Sequence, residues 1–143
     1  MTEQNFKNHT RLVPLFHGVT FLLILSGLIG SIINLCDHHE PGNHYSAALL
    51  IVVFIVFLLL FWFVRSFALK AQDRAIRAEE NFRHFILTGK PLDKNLRMGQ
   101  IIALRFASDE EFPALAQKAL AEKMAPKDIK MAIKNWKGDY HRV

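Results

Sequence analysis

Two long uncharged apolar runs constrain this chain more than any other feature of its sequence. One fills positions 15–35 (LFHGVTFLLILSGLIGSIINL) and the other fills positions 46–64 (SAALLIVVFIVFLLLFWFV), and neither contains Asp, Glu, Lys or Arg. A helix of about 20 residues measures roughly 30 Å, which matches the hydrocarbon core of a bilayer. A cleaved signal peptide has a shorter apolar core than the first run. The two runs therefore predict two transmembrane helices rather than an ordinary soluble domain.

The connection between the two runs is short. Residues 36–45 separate them, and Pro41-Gly42-Asn43 supplies turn-forming residues within this connection. A connection of this length forces the two helices to run antiparallel. The sequence therefore predicts an all-α membrane protein in which residues 14–64 form a two-helix hairpin and residues 1–13 form a short N-terminal tail.

The positive charges next to the two runs lie outside the connection. Residues 36–45 contain Asp37 and Glu40 but neither Lys nor Arg, whereas residues 1–13 contain Lys7 and Arg11. Further positive residues follow the second run: Arg65, Lys70, Arg74 and Arg77. Segments rich in Lys and Arg remain in the cytoplasm. We therefore expect both termini to be cytoplasmic and the connection to lie outside.

Small residues form one narrow stripe on the first predicted span. Its members are Ser26, Gly27, Gly30 and Ser31, with Asn34 one turn further on. Small side chains allow another helix backbone to approach closely, and hydroxyl groups can form hydrogen bonds across the contact. The stripe is therefore predicted to pack against a helix. The favoured partner is the bulky second span of the same hairpin, and another subunit is the alternative.

Residues 65–88 are predicted to continue the second helix beyond the bilayer as a helical stalk. From Tyr45 to Thr88 the sequence contains neither Pro nor Gly, so no residue in it breaks the helix. Six residues of the stalk have the 3-4-3-4-3 spacing of a heptad seam: Ala68, Ala71, Ala75, Ala78, Phe82 and Phe85. Two interpretations stay open. The seam packs against another copy or a partner, or it receives the chain's own C-terminal helices, which we favour.

Residues 89–143 are predicted to form a linker followed by three short cytoplasmic helices. Gly89 ends the stalk because glycine readily takes the left-handed conformation that closes a helix. The first short helix begins near Met98. Ser108 and Glu111 have the spacing of a capping box, which predicts that the second begins there. Pro126 is suited to the first position of the third helix.

In the last predicted helix, apolar residues lie on one face and a row of lysines lies on the other. These lysines are Lys127, Lys130, Lys134 and Lys137. We favour a solvated face for this row. The alternative is a basic amphipathic helix that rests, together with Arg65, on anionic lipid. Arg is scarce where contacts to bases would need it, so nucleic acid is not expected as a partner.

The connection outside the membrane contains several residues that can bind a metal. The first candidates for zinc or copper are His38, His39 and His44. Adjacent ligands rarely share one ion well, and no second ligand cluster occurs in the sequence. We therefore favour a polar loop without a metal, and a metal or pH sensor is the alternative.

The sequence offers little that would support catalysis. Cys36 is its single cysteine, and it contains no Gly-rich phosphate loop, no CxxC pair and no recognisable arrangement of a nucleophile with a base. We therefore expect no enzymatic activity and no cofactor.

Three stretches of the chain resemble a known family. They are QNFKNHTRLVPLFHG at positions 4–18, HFILTGKPLD at positions 84–93, and QIIALRFASDEEFPALAQKALAEKMAPKDIKMAIKNW at positions 100–136. Together they make the chain similar to small bacterial inner-membrane proteins grouped as a domain of unknown function. The resemblance implies two spans and a helical cytoplasmic tail, and it assigns no catalytic or binding residues. Some members carry a transport-permease label.

These patterns together predict a non-enzymatic protein of the bacterial inner membrane. Its hairpin would anchor a basic helical region that binds a protein partner or a second copy. The alternative function is a small subunit of a membrane transport assembly, in which the Gly and Ser stripe and His17 lie within an oligomeric pore.

Overall fold

The computed structural model describes residues 4–9, 12–37 and 43–140, and in these ranges the chain is helical without β-strands. A π-helical turn at Leu15–Thr20 leads into the first α-helix. The α-helices are α1 (Phe21–Cys36), α2 (His44–Thr88), α3 (Met98–Leu104), α4 (Phe112–Ala121) and α5 (Pro126–Ala132). The predicted all-α class is confirmed, with two long apolar helices followed by three short ones. The second long helix continues without a break to Thr88, as the absence of Pro and Gly predicts.

The chain divides into two compact units. The hairpin unit is Leu12–Phe67, and the tail unit combines Met1–Arg11 with Ala68–Val143. Residues 4–9 therefore belong to the tail unit. Gln4 connects them to the other end of the chain, because its Nε2 donates to the backbone oxygen of Asp139 at 3.0 Å and its Oε1 accepts from the backbone N–H of the same residue at 2.9 Å.

Helices α1 and α2 are long and apolar enough to cross a membrane. The candidate spans are Leu15–Cys36 and His44–Thr88, and only 6% of the most apolar window of either helix is buried. This small buried fraction distinguishes them from the core helices of a soluble protein, which protein atoms cover. Large side chains such as Leu23 (65% exposed) and Trp62 (71% exposed) face outward.

Inside the hairpin unit, aromatic rings of α2 lie against the first long helical segment. A Cβ atom added at Gly27 would overlap the Phe54 ring, so the missing side chain leaves room for that ring. Nearer the start of the segment, the Phe16 and Phe61 rings are stacked with centroids 4.4 Å apart. At Gly27, a small residue of the first helix therefore packs against a bulky residue of the second.

The first turn of this segment is wider than an α-helix. Thr20 Oγ1 donates to the backbone oxygen of Leu15 at 3.0 Å, five residues earlier. His17 Nδ1 lies 3.2 Å from the backbone nitrogen of Val13 and 3.0 Å from its oxygen. The imidazole therefore bonds to the backbone at the start of the helical segment.

The core of the tail unit lies among the three short helices. Its largest fully buried side chains are Phe106, Phe112, Ile101, Leu104 and Ile129. The buried amide of Gln100 ties the start of α3 to α4, since its Nε2 donates to the backbone oxygens of Ala119 and Met124 at 3.1 and 3.0 Å. These contacts provide the tail unit with one small apolar core.

The boundaries of two short helices differ from the sequence prediction. Helix α4 begins at Phe112, and Ser108 does not cap it. The Glu111 carboxylate instead accepts the backbone N–H groups of Lys134 and Asn135, each at 3.1 Å, so it is not available for a capping box.

Helix α5 ends at Ala132, and Ile133 is extended with ψ 124°. The predicted continuation of this helix through Trp136 is wrong. Trp136 instead pairs with Ala107 in an isolated antiparallel bridge, in which the N–H of Lys137 donates to the oxygen of Phe106 at 2.8 Å. This backbone pairing competes with a further helical turn.

We expect Phe112→Ala to destabilise the tail unit by about 3 to 5 kcal/mol, because it leaves a cavity in a closed core. The measurement is urea unfolding of the full chain in detergent, followed by Trp136 fluorescence in a Trp62→Phe background. Ile86→Ala is the control: Ile86 is 66% exposed, so its truncation should cost less than about 1 kcal/mol. Equal losses in the two variants would contradict the described core.

Candidate interaction site

One side of the polar part of α2 is covered by the rest of the tail unit. Ile76, Glu80 and His84 are 6%, 9% and 9% exposed, and they follow one another at a spacing of four residues. The His84 ring meets the Phe112 ring edge-on, with centroids 5.7 Å apart. His84 Nδ1 lies 2.7 Å from the backbone oxygen of Lys90, which fixes the turn after α2. This side of α2 serves as a wall of the tail unit.

Arg83 joins several parts of the tail unit at this covered side. Its Nε donates to Asp109 Oδ1 at 2.6 Å, its Nη1 to Glu80 Oε2 at 3.0 Å and its Nη2 to the backbone oxygen of Ala107 at 2.7 Å. The guanidinium carbon also lies 4.5 Å from the centre of the Phe112 ring. We call Glu80, Arg83, Ala107, Asp109 and Phe112 the Arg83 cluster. Hydrogen bonds to charged groups are stronger than neutral ones, so this cluster holds α2 against the segment before α4.

The two carboxylates of the Arg83 cluster are perturbed in opposite directions. Burial raises the pKa of Glu80 above its ordinary value, and the hydrogen bond from Arg83 only partly offsets this effect. The hydrogen bond from Arg83 lowers the pKa of Asp109, which is mostly exposed. Asp109 therefore carries the negative charge that compensates Arg83, whereas an ionised Glu80 costs stability.

A cleft of about 830 Å³ opens beside the Arg83 cluster, between α2 and residues 105–109 and 137–140. Charges of both signs line it and compensate one another. Arg105 Nη1 lies 3.2 Å from Asp139 Oδ2, and Lys137 Nζ lies 3.7 Å from Asp109 Oδ1. Because these ion pairs join elements of the tail unit, the charges in the cleft serve to hold the unit together.

The predicted heptad seam lies on another side of α2. Ala71, Ala75 and Ala78 are exposed, and Phe82 and Phe85 are 65% and 52% exposed. Ala68, at the start of the seam, is half-buried. Most of the seam is not buried by the C-terminal part of the chain, but Ala75 and Phe82 line the cleft that residues 105–109 and 137–140 border. Packing of the chain's own C-terminal region on the seam therefore stays a prediction. Contact of the seam with another chain stays a prediction.

The stripe residues of α1 have different surroundings. Ser31 is buried, and its hydroxyl donates to the backbone oxygen of Gly27 at 2.8 Å. A Cβ atom at Gly30 would meet no other described atom within 4 Å, and Ser26 is exposed. The stripe therefore splits into a part that faces the hairpin, at Gly27 and Ser31, and a part that faces outward.

The predicted lysine row is not one face of a helix. Lys127 and Lys130 belong to α5, whereas Lys134 and Lys137 lie beyond its end. Lys130 Nζ lies 3.0 Å from His9 Nε2 and 5.7 Å from the centre of the Phe106 ring. A basic amphipathic helix with all four lysines is therefore not formed. Arg65, in α2, is half-buried in the hairpin unit.

Of the three histidines predicted as metal candidates, the structure describes only His44. His38 and His39 lie outside the described residues. His44 Nε2 lies 3.1 Å from the backbone oxygen of Asp37, which links the two ends of the connection. Among the residues that the structure describes, no group of three or more His, Cys, Asp or Glu side chains is placed to hold a metal ion.

Sequence reasoning missed the Arg83 cluster and the attachment of the N-terminal segment. Within α2, Arg83 pairs with Glu80 at i,i+3. The partners Ala107 and Asp109 are more than 20 positions away along the chain, so no local pattern reveals them. Likewise, His9 packs against Phe106 and Trp136, with ring centroids 5.7 and 5.9 Å away.

Comparison with known proteins identifies the family. The model of the Family of unknown function (DUF6526) matches residues 1–143. The chain belongs to this family. The match confirms the resemblance seen in the sequence and extends it over the whole chain. No curated protein and no solved structure matches the chain.

We expect Glu80→Gln to stabilise the protein increasingly, relative to the unchanged chain, as the pH rises from about 4 to about 7. The raised pKa of Glu80 means that the folded state binds more protons than the unfolded state, so ionisation of Glu80 lowers stability as the pH rises. The measurement is urea unfolding of the full chain in detergent across this pH range.

Asp109→Asn provides the opposite comparison. The lowered pKa of Asp109 gives a stabilising contribution that is present above its unfolded-state pKa and disappears as the pH falls. The Asn variant should therefore be less stable than the unchanged chain near neutral pH and approach it in acid. A Glu80→Gln curve that runs parallel to that of the unchanged chain would contradict the assignment.

Proposed function

We propose that this protein is a non-enzymatic integral protein of the bacterial inner membrane, in which the hairpin unit anchors a cytoplasmic tail unit that binds a protein partner or a second copy. One observation carries the proposal: the two apolar helices are almost wholly uncovered by protein, while the polar unit next to them in sequence has its own core. Uncovered apolar surface costs about 25 cal/mol per Å² in water, and this cost disappears in lipid.

The tail unit supports the placement of both termini on one side of the membrane. Gln4 and His9 contact Asp139 and Lys130, so residues near the two ends of the chain meet in one unit. An even number of spans is needed to bring both ends to the same side, and two spans satisfy this condition. The Lys and Arg residues outside the connection favour the cytoplasmic side.

The contacts of the tail unit support an anchoring or binding role instead of catalysis. Two of its carboxylates with shifted pKa values, Glu80 and Asp109, both pair with Arg83, and Glu111 holds the backbone after α5. Catalytic groups need an open position next to a substrate. These charged groups instead join elements of the fold.

We expect the protein to remain in the membrane pellet after alkaline carbonate extraction, because lipid-covered spans are not released by loss of charge contacts. Reporter fusions at residue 4 and after residue 140 should both be active only in the cytoplasm, and Asn43→Cys in a Cys36→Ser background should react with an impermeant thiol reagent added outside. A protein released by carbonate, or a reporter active outside, would contradict the anchor.

A second candidate function is a small subunit of a membrane transport assembly. The outward-facing Gly30 and Ser26 favour it, because small residues exposed toward lipid permit close approach of another helix.

If the hairpin is only an anchor, Gly30→Leu should leave membrane insertion and partner capture unchanged. Loss of a membrane complex in this variant, together with solute movement by the reconstituted unchanged protein, would favour transport. Gly27→Leu, which displaces the Phe54 ring, is the control for damage to the hairpin itself.

A further inference from the structure

From Ala71 to Phe85 the seam of α2 is an exposed apolar face, of which Ala75 and Phe82 also border the cleft beside the Arg83 cluster. At about 100° per residue, Ala71, Ala75, Ala78, Phe82 and Phe85 lie roughly opposite the side that carries Ile76, Glu80 and His84. The tail unit can therefore keep its own core while the seam contacts another molecule. The seam is about 26 Å long from Ala68 to Phe85, or nearly five helical turns.

We propose that the seam pairs with the same seam of a second copy of this chain, with the two α2 helices parallel. The inference rests on the membrane anchor proposed above, and it names the partner of that anchored unit. Alanine at four of the six seam positions lets two helix backbones approach closely, and the two phenylalanines then meet at the far end. The two copies would form a short two-stranded coiled coil.

The charges beside the seam decide between a second copy and an unrelated partner. Arg74 precedes the seam residue Ala75, and Glu79 follows the seam residue Ala78, so the two lie on opposite flanks. Both are exposed and five positions apart, and Glu79 also lines the cleft that contains Arg105 and Lys137. In a parallel pair of heptad helices, a residue at the g position meets the e residue five positions later on the other helix. Arg74 of each copy therefore meets Glu79 of the other.

The same charges disfavour an antiparallel pair. Antiparallel helices bring g next to g and e next to e, so Arg74 and Glu79 would no longer meet across the seam. The membrane anchor imposes the same choice, because both copies leave the bilayer in the same direction. Both the charge pattern and the membrane anchor therefore favour a parallel pair of helices.

The membrane anchor also explains how so short a seam can hold two copies together. Isolated helices of this length are marginal in water, and an alanine seam buries little area. Confinement of two copies to one membrane raises their effective concentration, as a linker does between two binding modules. The contact is therefore expected in the membrane-bound full chain.

The first test is disulfide crosslinking of the full chain in isolated membranes. In a Cys36→Ser background, Ala75→Cys and Ala78→Cys should each form a dimer on mild oxidation, because equivalent seam residues of two parallel helices face each other within disulfide reach. Ala121→Cys is the matched control, an exposed alanine of the same unit on α4, and Arg77→Cys is the control on α2 away from the seam. We expect at least about tenfold more dimer at the seam than at either control.

The second test is a charge exchange that only the parallel second copy explains. Arg74→Glu alone and Glu79→Arg alone each turn two attractions into two repulsions, and each should reduce crosslinking at Ala78→Cys by roughly three- to tenfold. Coexpression of the two variants should restore it as a heterodimer, because the two substituted side chains then face each other with opposite charges, and the unchanged Arg74 and Glu79 form the other pair. Arg77→Glu, with the same change of charge on an exposed position outside the seam, should have no effect.

Three results would overturn the inference: equal crosslinking at Ala78 and Ala121, crosslinking of the seam to a different protein, or no recovery on coexpression of the charge variants. Each is distinguishable from failure of the anchor, which carbonate extraction and the reporter fusions measure independently. A protein that stays in the membrane yet does not crosslink through the seam would retain the anchor and lose the dimer.

Discussion

The unbroken hydrogen-bonded ladder of α2 is the constraint on which the rest of the structure depends. A segment inside lipid must satisfy its own backbone N–H and C=O groups, and a continuous helix does so without help from neighbours. From His44 to Thr88 no residue interrupts that ladder. The same helix therefore supplies the most apolar surface of the hairpin unit and one wall of the tail unit. Its side chains change from Phe, Leu, Ile and Val to Glu, Arg and His as the surroundings change.

The tail unit depends on this wall because its own core is small. In the described part of the chain, three helices of seven to ten residues enclose five large, fully buried side chains. Domains of this size bury a small fraction of their surface and are marginal alone. The Arg83 cluster compensates for this by joining α2 to the segment before α4 through charge-assisted hydrogen bonds. Burial of Glu80 raises its pKa and opposes part of this gain.

The parts of the fold that follow from local sequence could be predicted, and those that depend on distant partners could not. Apolar runs and the lack of Pro and Gly set the two long helices, and Pro126 marks the start of α5 as expected. The capping box at Ser108 failed because Glu111 binds backbone groups 23 and 24 residues later.

The covered side of α2 was missed for a related reason. The apolar spacing of Ala75, Ala78 and Phe82 is regular, whereas the buried side contains Glu80 and His84, which look like solvent-facing residues until their partners are known. The periodicity of apolar residues identified one face of α2, but it did not show which side of the helix packs against the rest of the tail unit. For the candidate site, the seam could be found from sequence and the Arg83 cluster could not.

The attachment of residues 4–9 to the C-terminal part has a consequence for the order of assembly. Gln4 and His9 are synthesised before their partners Asp139, Lys130 and Trp136, which lie more than 120 positions later in the chain. The contacts of residues 4–9 can therefore form only after the intervening chain, with both long helices, has been synthesised.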